Sequence, residues 1–259
     1  MKKTIIALMA LSGVALGEYS WDASKDYSYT WDFSQDNTQN GKTGVLGGTV
    51  TNTFATESIT GIGTAIKEGD ANGKYWEVDT NSFLYDAITA ATTTAATLTL
   101  TVDYYWTGAQ WGENILHIGC NSTGIAYGLS NGYISMTTGT AQDDQFAAAK
   151  TDLRLTANSW NTITFTLSNN EWTATLGGVT SDAKTLGAVS WDASEAERNK
   201  YSIGVKAPGW DSGATGLNDS GCKIANMTIS YTAAPIPEPT TATLSLLALA
   251  SLAARRRRK

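Results

Sequence analysis

One histidine, two cysteines and four prolines are spread over 259 residues, and only 16% of the chain is charged. With His117 alone, metal sites built from histidine clusters are excluded, and no glycine loop of the phosphate-cradling type occurs. Lys and Glu are sparse while Thr, Gly, Ser, Asn, Tyr and Trp abound, a composition suited to many short strands joined by tight turns. Long hydrophobic runs are also missing. The tail from Thr240 to Ala254 offers 15 apolar or small residues, whereas a helix crossing the bilayer needs about 20.

Both ends of the chain depart from this polar body. Lys2 and Lys3 precede a uniformly apolar stretch from Thr4 to Leu16, with Ala15 and Gly17 as small residues before a cleavage point. This is the layout of a secretory signal peptide over residues 1–17, and the mature chain is expected to start near Glu18. At the other end, Pro237-Glu238-Pro239, the short apolar segment and Arg255, Arg256, Arg257 and Arg258 resemble the PEP-CTERM sorting signal of Gram-negative bacteria, over residues 234–259. The resemblance implies recognition by a membrane transpeptidase-like enzyme, an exosortase, after transient membrane association through the tail. It also implies removal of the tail and residence at the cell surface, in the envelope or in an extracellular polysaccharide matrix.

Leader and tail hold seven basic residues and no acid, which leaves 11 basic and 24 acidic residues on the body, near −13. So acidic a body repels phosphate backbones, and nucleic acid is not an expected partner.

The 222 residues from Glu18 to Pro239 fit a single all-β domain. In "ATLTLTVDYYW", Leu98, Leu100, Val102, Tyr104 and Trp106 share one face and Thr97, Thr99, Thr101, Asp103 and Tyr105 the other. In "NTITFTLSNNEWTATLGG", Ile163, Phe165 and Leu167 precede a turn at Asn169-Asn170, with Trp172, Ala174 and Leu176 following. "GIAYGLSNGYISM" predicts a hairpin at Asn131-Gly132, "ANMTISY" turns Met227, Ile229 and Tyr231 inward, and "DQFAAAK" and "DASEAERNK" predict short helical turns. The pattern is a two-sheet antiparallel sandwich over residues 18–233. "SWDAS" occurs at 20–24 and 190–194, predicting two similar turns close together where the first and late strands pair. The order of these strands, with "NILHIG" and the closing "KIANMTISY", resembles the laminin-G-like, concanavalin A-type lectin/glucanase jelly roll over roughly residues 75–232. Residues 18–74 are then expected to add a strand beside the C-terminal one. In that family the concave face or the rim loops often hold sugars or calcium.

Catalysis is not expected. Glycanases on this sandwich carry a Glu-x-Asp-x-x-Glu strand; "WEVDTNS" supplies Glu77 and Asp79, but Ser82 stands where the second acid belongs. Glu77 and Asp79 then read as solvent-facing neighbours of the core-facing Trp76 and Val78. "GLSNG" at 128–132 matches a nucleophile elbow in letters only, because a hairpin follows it. His117 and Cys120 fall on opposite faces of a strand, leaving a half-buried structural imidazole.

No cofactor is expected; calcium is the one ion with candidate loops. These are "DNTQNG" at 36–41, which lacks an acid at its twelfth position, Gly47, and the loops with Asp143-Asp144, Asp211, Asn218 and Asp219. Turn capping is the alternative role of these residues. Cys120 and Cys222 are the disulfide candidates of an exported chain. A bridge would close 102 residue steps and contribute up to about 4.7 kcal/mol; separate thiols are the alternative.

Nine tryptophans and eleven tyrosines point to a polysaccharide or glycoconjugate partner, since sugar C–H faces stack on exposed rings. Trp76, Tyr104, Trp106, Trp160 and Trp172 read as core or strand-start residues. The ligand-binding candidates are Tyr105, on an outward face, and Trp111, Trp210 and Asp211 in loops, with Gln110 and Asn114 as flanking hydrogen-bond donors. The functions these features favour are a non-catalytic glycan-binding surface protein or a structural, adhesive one, with a hydrolase on the same fold third. If both end signals act, N-terminal sequencing of the exported chain should begin near Glu18, and its mass should lack residues 240–259. A mature mass that retains the arginine cluster would contradict tail removal.

Overall fold

A computed structural model describes residues 21–32, 37–39, 42–44, 52–56, 60–62, 75–78, 82–108, 113–119, 123–139, 143–203 and 223–235. Along the chain, β1 (Tyr27–Asp32) is followed by a small hairpin, β2 (Asn37–Gln39) and β3 (Lys42–Gly44), then β4 (Asn52–Thr56), β5 (Thr60–Ile62) and β6 (Tyr75–Val78). Helix α1 (Phe83–Thr93) leads into β7 (Thr97–Trp106), β8 (Glu113–Ile118), β9 (Ile125–Ser130) and β10 (Tyr133–Thr138). After α2 (Asp143–Ala149) come β11 (Ser159–Ser168), β12 (Glu171–Leu176), β13 (Val179–Thr180) and β14 (Lys184–Thr185). Helix α3 (Glu195–Arg198), β15 (Lys200–Ile203) and β16 (Lys223–Thr232) complete the described chain.

The strands form two main antiparallel sheets. The larger runs β13-β12-β11-β7-β16-β1-β4-β5, with β14 also on β12; the smaller runs β10-β9-β8-β15-β6. The first strand pairs with the last, Tyr27 opposite Tyr231 and Thr30 opposite Thr228, as the sequence predicted for the segment before residue 75. The alternation on β7 is also as predicted. Leu98, Leu100, Val102, Tyr104 and Trp106 are buried, and the intervening residues are half-buried on the outer face. Ile163, Phe165, Leu167, Trp172, Ala174, Met227, Ile229 and Tyr231 all face in.

Ring contacts join the two sheets across the core. Tyr127 of β9 meets Phe165 of β11 edge-on at 5.2 Å, and Tyr29 of β1 meets Tyr201 of β15 at 6.5 Å. Each such side chain taken from water contributes about 1.5–3 kcal/mol. Asn131 and Gly132 (φ 52° and 78°) and Asn169 and Asn170 (φ 50° and 63°) make the predicted hairpin turns with both central residues left-handed, a geometry that matches strand twist.

The sequence reading missed α1. Its eleven residues carry Thr92 and Thr93, poor helix formers, and "FLYDAITAATT" looks like another Thr-rich strand. Burial decides: Phe83, Leu84, Ala87, Ile88 and Ala91 lie on one helical stripe with no exposure to solvent. Thr92 and Thr93 stay helical by donating their hydroxyls back to the carbonyls of Ile88 and Thr89. The helix ends beside the turn of the β11–β12 hairpin, where Asn169 N–H donates to Thr94 O and Asn170 N–H to Ala91 O.

The two "SWDAS" segments make the same turn, with Ser24 N–H donating to Asp22 Oδ1 and Ser194 N–H to Asp192 Oδ1. The first turn lies where the first and last strands pair, as expected, with Tyr231 donating its hydroxyl to Ala23 O; the second precedes α3 instead, and both flank α1. Trp21 packs toward Phe83, and Trp191 meets Tyr85 edge-on at 4.9 Å. The short helices at 143–149 and 195–198 appear where predicted.

Gly132 is fixed twice over. Its φ is +78°, and a Cβ there would sit 2.3 Å from the Trp106 ring; Gly178 has φ +84° with nothing within 4 Å. Gly178→Ala should cost about 1–2 kcal/mol in urea unfolding from backbone strain alone. Gly132→Ala should lose a further 1–3 kcal/mol or so, because Trp106 must move out of a packed core. Equal losses would refute that role for Trp106.

Candidate functional site

The outer face of the large sheet carries an aromatic corner where β7 ends and β11 begins. Trp160 stands opposite Tyr105 in register, 49% exposed, with the two rings edge to face at 5.6 Å and 66°. Of the two expectations for Trp160, core or strand start, its exposure overturns the first, and its place as the second residue of β11 bears out the other. Alternation on β11 explains it: Asn161, Ile163, Phe165 and Leu167 take the inward positions, so Trp160 must point out.

Asn161 sets the ring's position from below. The buried amide accepts from Thr156 N–H at 2.9 Å and donates to the carbonyls of Thr156 and Ser159. These bonds fold residues 156–159 into the turn that delivers Trp160, and Asn158 (φ 53°) ties that turn to β7 through Trp106 O at 2.6 Å. Next to the rings, Thr162 donates its hydroxyl to Asp103 Oδ1 at 2.6 Å. Opposite Asp103, β16 shifts register between Ile224 and Met227, a bulge that twists the sheet beside the corner.

A half-exposed indole and a phenol ring beside a carboxylate and a hydroxyl can stack on an apolar sugar face while accepting from and donating to its hydroxyls. Of the sequence-predicted binding residues, Tyr105 lies in this corner. Trp111, Trp210, Asp211 and Gln110 lie outside the described residues. Asn114 is not part of a surface site, being 7% exposed in β8. Trp160 was missed because its position in the strand, counted from the buried Ile163, was overridden by the prior that tryptophan is core.

The other candidates separate from this corner. Ser82 is not on a strand with Glu77: β6 ends at Val78, and Ser82 takes a left-handed φ of 56° directly before α1. Glu77 lies on the edge strand of the smaller sheet, its backbone paired with Tyr201, a core residue; its side chain and Asp79 lie outside what is described. In "DNTQNG", Asn37–Gln39 pairs antiparallel with Lys42–Gly44, while Asn40 and Gly41 lie outside the described residues. Asp143 and Asp144 begin α2. No group of three metal-ligating side chains occurs among the described residues. Asp36, Asn218, Asp219, Cys120, Cys222 and the sorting-signal residues from Pro237 to Arg258 lie outside the described residues.

No protein-family model matches the chain, and no curated protein matches it. Among solved structures, the chain is similar to the binding domain of botulinum neurotoxin serotype D/C, at TM-score 0.38 and 12% identity over 86% of this chain and 47% of that one. It is likewise similar to a botulinum neurotoxin type C structure whose cell entry depends on two ganglioside molecules, at 0.39 and 10% over 86% and 46%. A mutant Trypanosoma rangeli sialidase with trans-sialidase activity matches at 0.40 and 13% over 80% and 30%. The chain spans about half or less of the length of each. Likeness of this degree decides neither family nor ligand.

His117 is fully buried, more so than the half-buried imidazole expected, and has no place in the corner. Its Nε2–H donates to Thr123 O at 3.1 Å, while Nδ1 lacks a hydrogen-bond partner. Burial pushes its pKa down from 6.5 to about 4, against an opposing pull from the carbonyls of Thr123 and Gly139. The folded ring is therefore neutral at pH 7 while the unfolded chain takes the proton first on acidification. Stability from this group is complete above pH 6.5 and drains away as pH falls toward 4, by about 3 kcal/mol. Urea midpoints for His117→Gln should vary less than wild type between pH 6.5 and 4; parallel profiles would contradict a buried neutral ring.

Proposed function

We propose that this chain is a non-catalytic, glycan-binding protein of the cell surface or extracellular matrix, and that its outer aromatic corner holds the sugar. The observation that carries the reading is the exposed Trp160 ring set edge-on to Tyr105 beside Asp103 and Thr162, over a buried Asn161 that fixes it. A large hydrophobic ring left in water on a rigid strand, with polar groups at its edge, is the arrangement that recognises a saccharide face.

The two-sheet body is of the laminin-G-like, concanavalin A-type jelly roll. The leader over residues 1–17 and the PEP-CTERM tail with its arginine cluster export it, and an exosortase removes the tail. Trp111, Trp210 and Asp211, outside the described residues, are the further candidates for ligand contact, and calcium is the candidate ion.

The test is retention of the purified chain on a panel of immobilised neutral and acidic polysaccharides, with and without calcium. Trp160→Ala and Tyr105→Ala should abolish retention while the protein still unfolds in one cooperative transition, because both rings lie on the outer face and outside the core. Loss only in Trp111→Ala or Trp210→Ala would move the site to the loops. A blank panel from folded protein would replace this reading with a structural or adhesive role that has no saccharide ligand.

A further inference from the structure

From the aromatic corner, two files of outward side chains run the length of β7 and β11. On β7 they are Tyr105, Asp103, Thr101, Thr99 and Thr97; on β11, Trp160, Thr162, Thr164, Thr166 and Ser168. Register sets them opposite one another, Trp160 with Tyr105, Thr162 with Asp103, Thr164 with Thr101 and Thr166 with Thr99. Below the corner the rungs contain neither charge nor any side chain larger than threonine.

The same chemistry continues sideways. Thr175 stands beside Thr164, Thr228 beside Thr101 and Thr30 beside Thr228. Neighbouring hydroxyls touch at 2.9 Å (Thr175 and Thr180), 3.3 Å (Thr101 and Thr164) and 3.1 Å (Thr30 and Thr228). These contacts fix the threonine rotamers, so less side-chain entropy remains to be lost on binding.

A solvated sheet face ordinarily mixes lysine and glutamate among its threonines, which keeps it soluble and blunts non-specific pairing. Glu171 beside Ser168 and Lys223 beside Tyr105 bound this field at its two ends, and between them, below Asp103, the paired rungs of β7 and β11 carry only hydroxyls. On a body near −13, such a hydroxyl stretch fits a partner that is itself uncharged, polyhydroxylated and extended. Eight residue steps from Tyr105 to Thr97 span about 27 Å, far longer than one or two sugars, and adjacent rungs are about 7 Å apart.

Building on the glycan-binding reading, we propose that the ligand is a linear, neutral polysaccharide of at least several units. One unit stacks at Trp160 and Tyr105, and the rest of the chain lies along the β7–β11 track with its hydroxyls on the threonine rungs. Specificity then resides in chain length and neutrality: a short sugar gains only the aromatic corner, and an acidic polymer meets Asp103 and the acidic body.

Calorimetric titration of the full chain with cello- and xylo-oligosaccharides from disaccharide to hexasaccharide, and with polygalacturonate, tests this. Affinity should climb with length by about tenfold or more, and the double variant Thr101→Val, Thr164→Val should lower hexasaccharide affinity about tenfold while leaving the disaccharide unchanged. Valine keeps the β-branched shape, so the sheet is retained; Thr162→Lys, on an exposed position, is a second obstruction of the track. Length-independent affinity, or valine variants that bind the hexasaccharide as wild type does while Trp160→Ala abolishes it, would overturn the track and leave the corner standing. Failure of the whole neutral series would also overturn it; retention of polygalacturonate through Trp160 would show that the glycan-binding reading survives.

Discussion

Burial of one file of side chains between the two sheets determines what every other position on β7 and β11 can do. Leu98, Leu100, Val102 and Tyr104 on one strand and Ile163, Phe165 and Leu167 on the other are essentially without solvent contact. A slip of one residue in both strands would carry all of them to water and bring Tyr105, Asp103, Trp160, Ser168 and six threonines into the core. The hydrophobic cost of that slip is many times the energy of any surface contact, so the outward file is as rigid as the core beneath it. A surface made in this way needs no loop to order it.

The remaining elements close the ends of this sandwich. At the end away from Trp160, α1 inserts Phe83, Leu84, Ala87 and Ile88 into the core, and its last turn is bonded to the Asn169-Asn170 hairpin. The aromatic group of Trp21, Tyr27 and Tyr231 packs around Phe83, and Trp191 with Arg198 covers Tyr85. At the Trp160 end the core is sealed by Trp106 lying against Gly132, with Arg154 over the ring at 5.5 Å. Trp106 and Trp160 thus belong to the same end of the sheet yet serve opposite sides of it, one filling the core and the other facing solvent.

Period-two patterning made most of this legible from the residues alone. The inward sets of β7, β11, β12 and β16 and the left-handed hairpin turns follow from alternation and turn chemistry, whereas the pairing of the first strand with the last was implied by the family resemblance. Helix α1 was not legible because its threonines suit a strand locally, and only the burial of a helical stripe settles the matter. The same limit hid Trp160. Composition says that tryptophan belongs inside, whereas its distance of three residues from Ile163 puts it outside, and the geometric rule wins because Asn161 already occupies the inward place. Tyr105 lies on the outward face to which that same counting assigns it.

Geometry also bears on why this surface fits binding better than hydrolysis. Cleavage of a glycosidic bond by the usual route needs two carboxyl groups, about 5–5.5 Å apart for retention and up to roughly 9.5 Å for inversion. The described part of the aromatic corner holds one, Asp103, and its Oδ1 already accepts the Thr162 hydroxyl. Glu77, the acid that the sequence offered for catalysis, belongs to the edge strand of the other sheet. The core lies between that sheet and the one that carries Trp160. Ser82, in place of the partner acid, has left the strand for the left-handed turn that starts α1, so β6 cannot present two acids in alternation. What the fold holds rigidly around the exposed ring is therefore a stacking platform with hydroxyls beyond it.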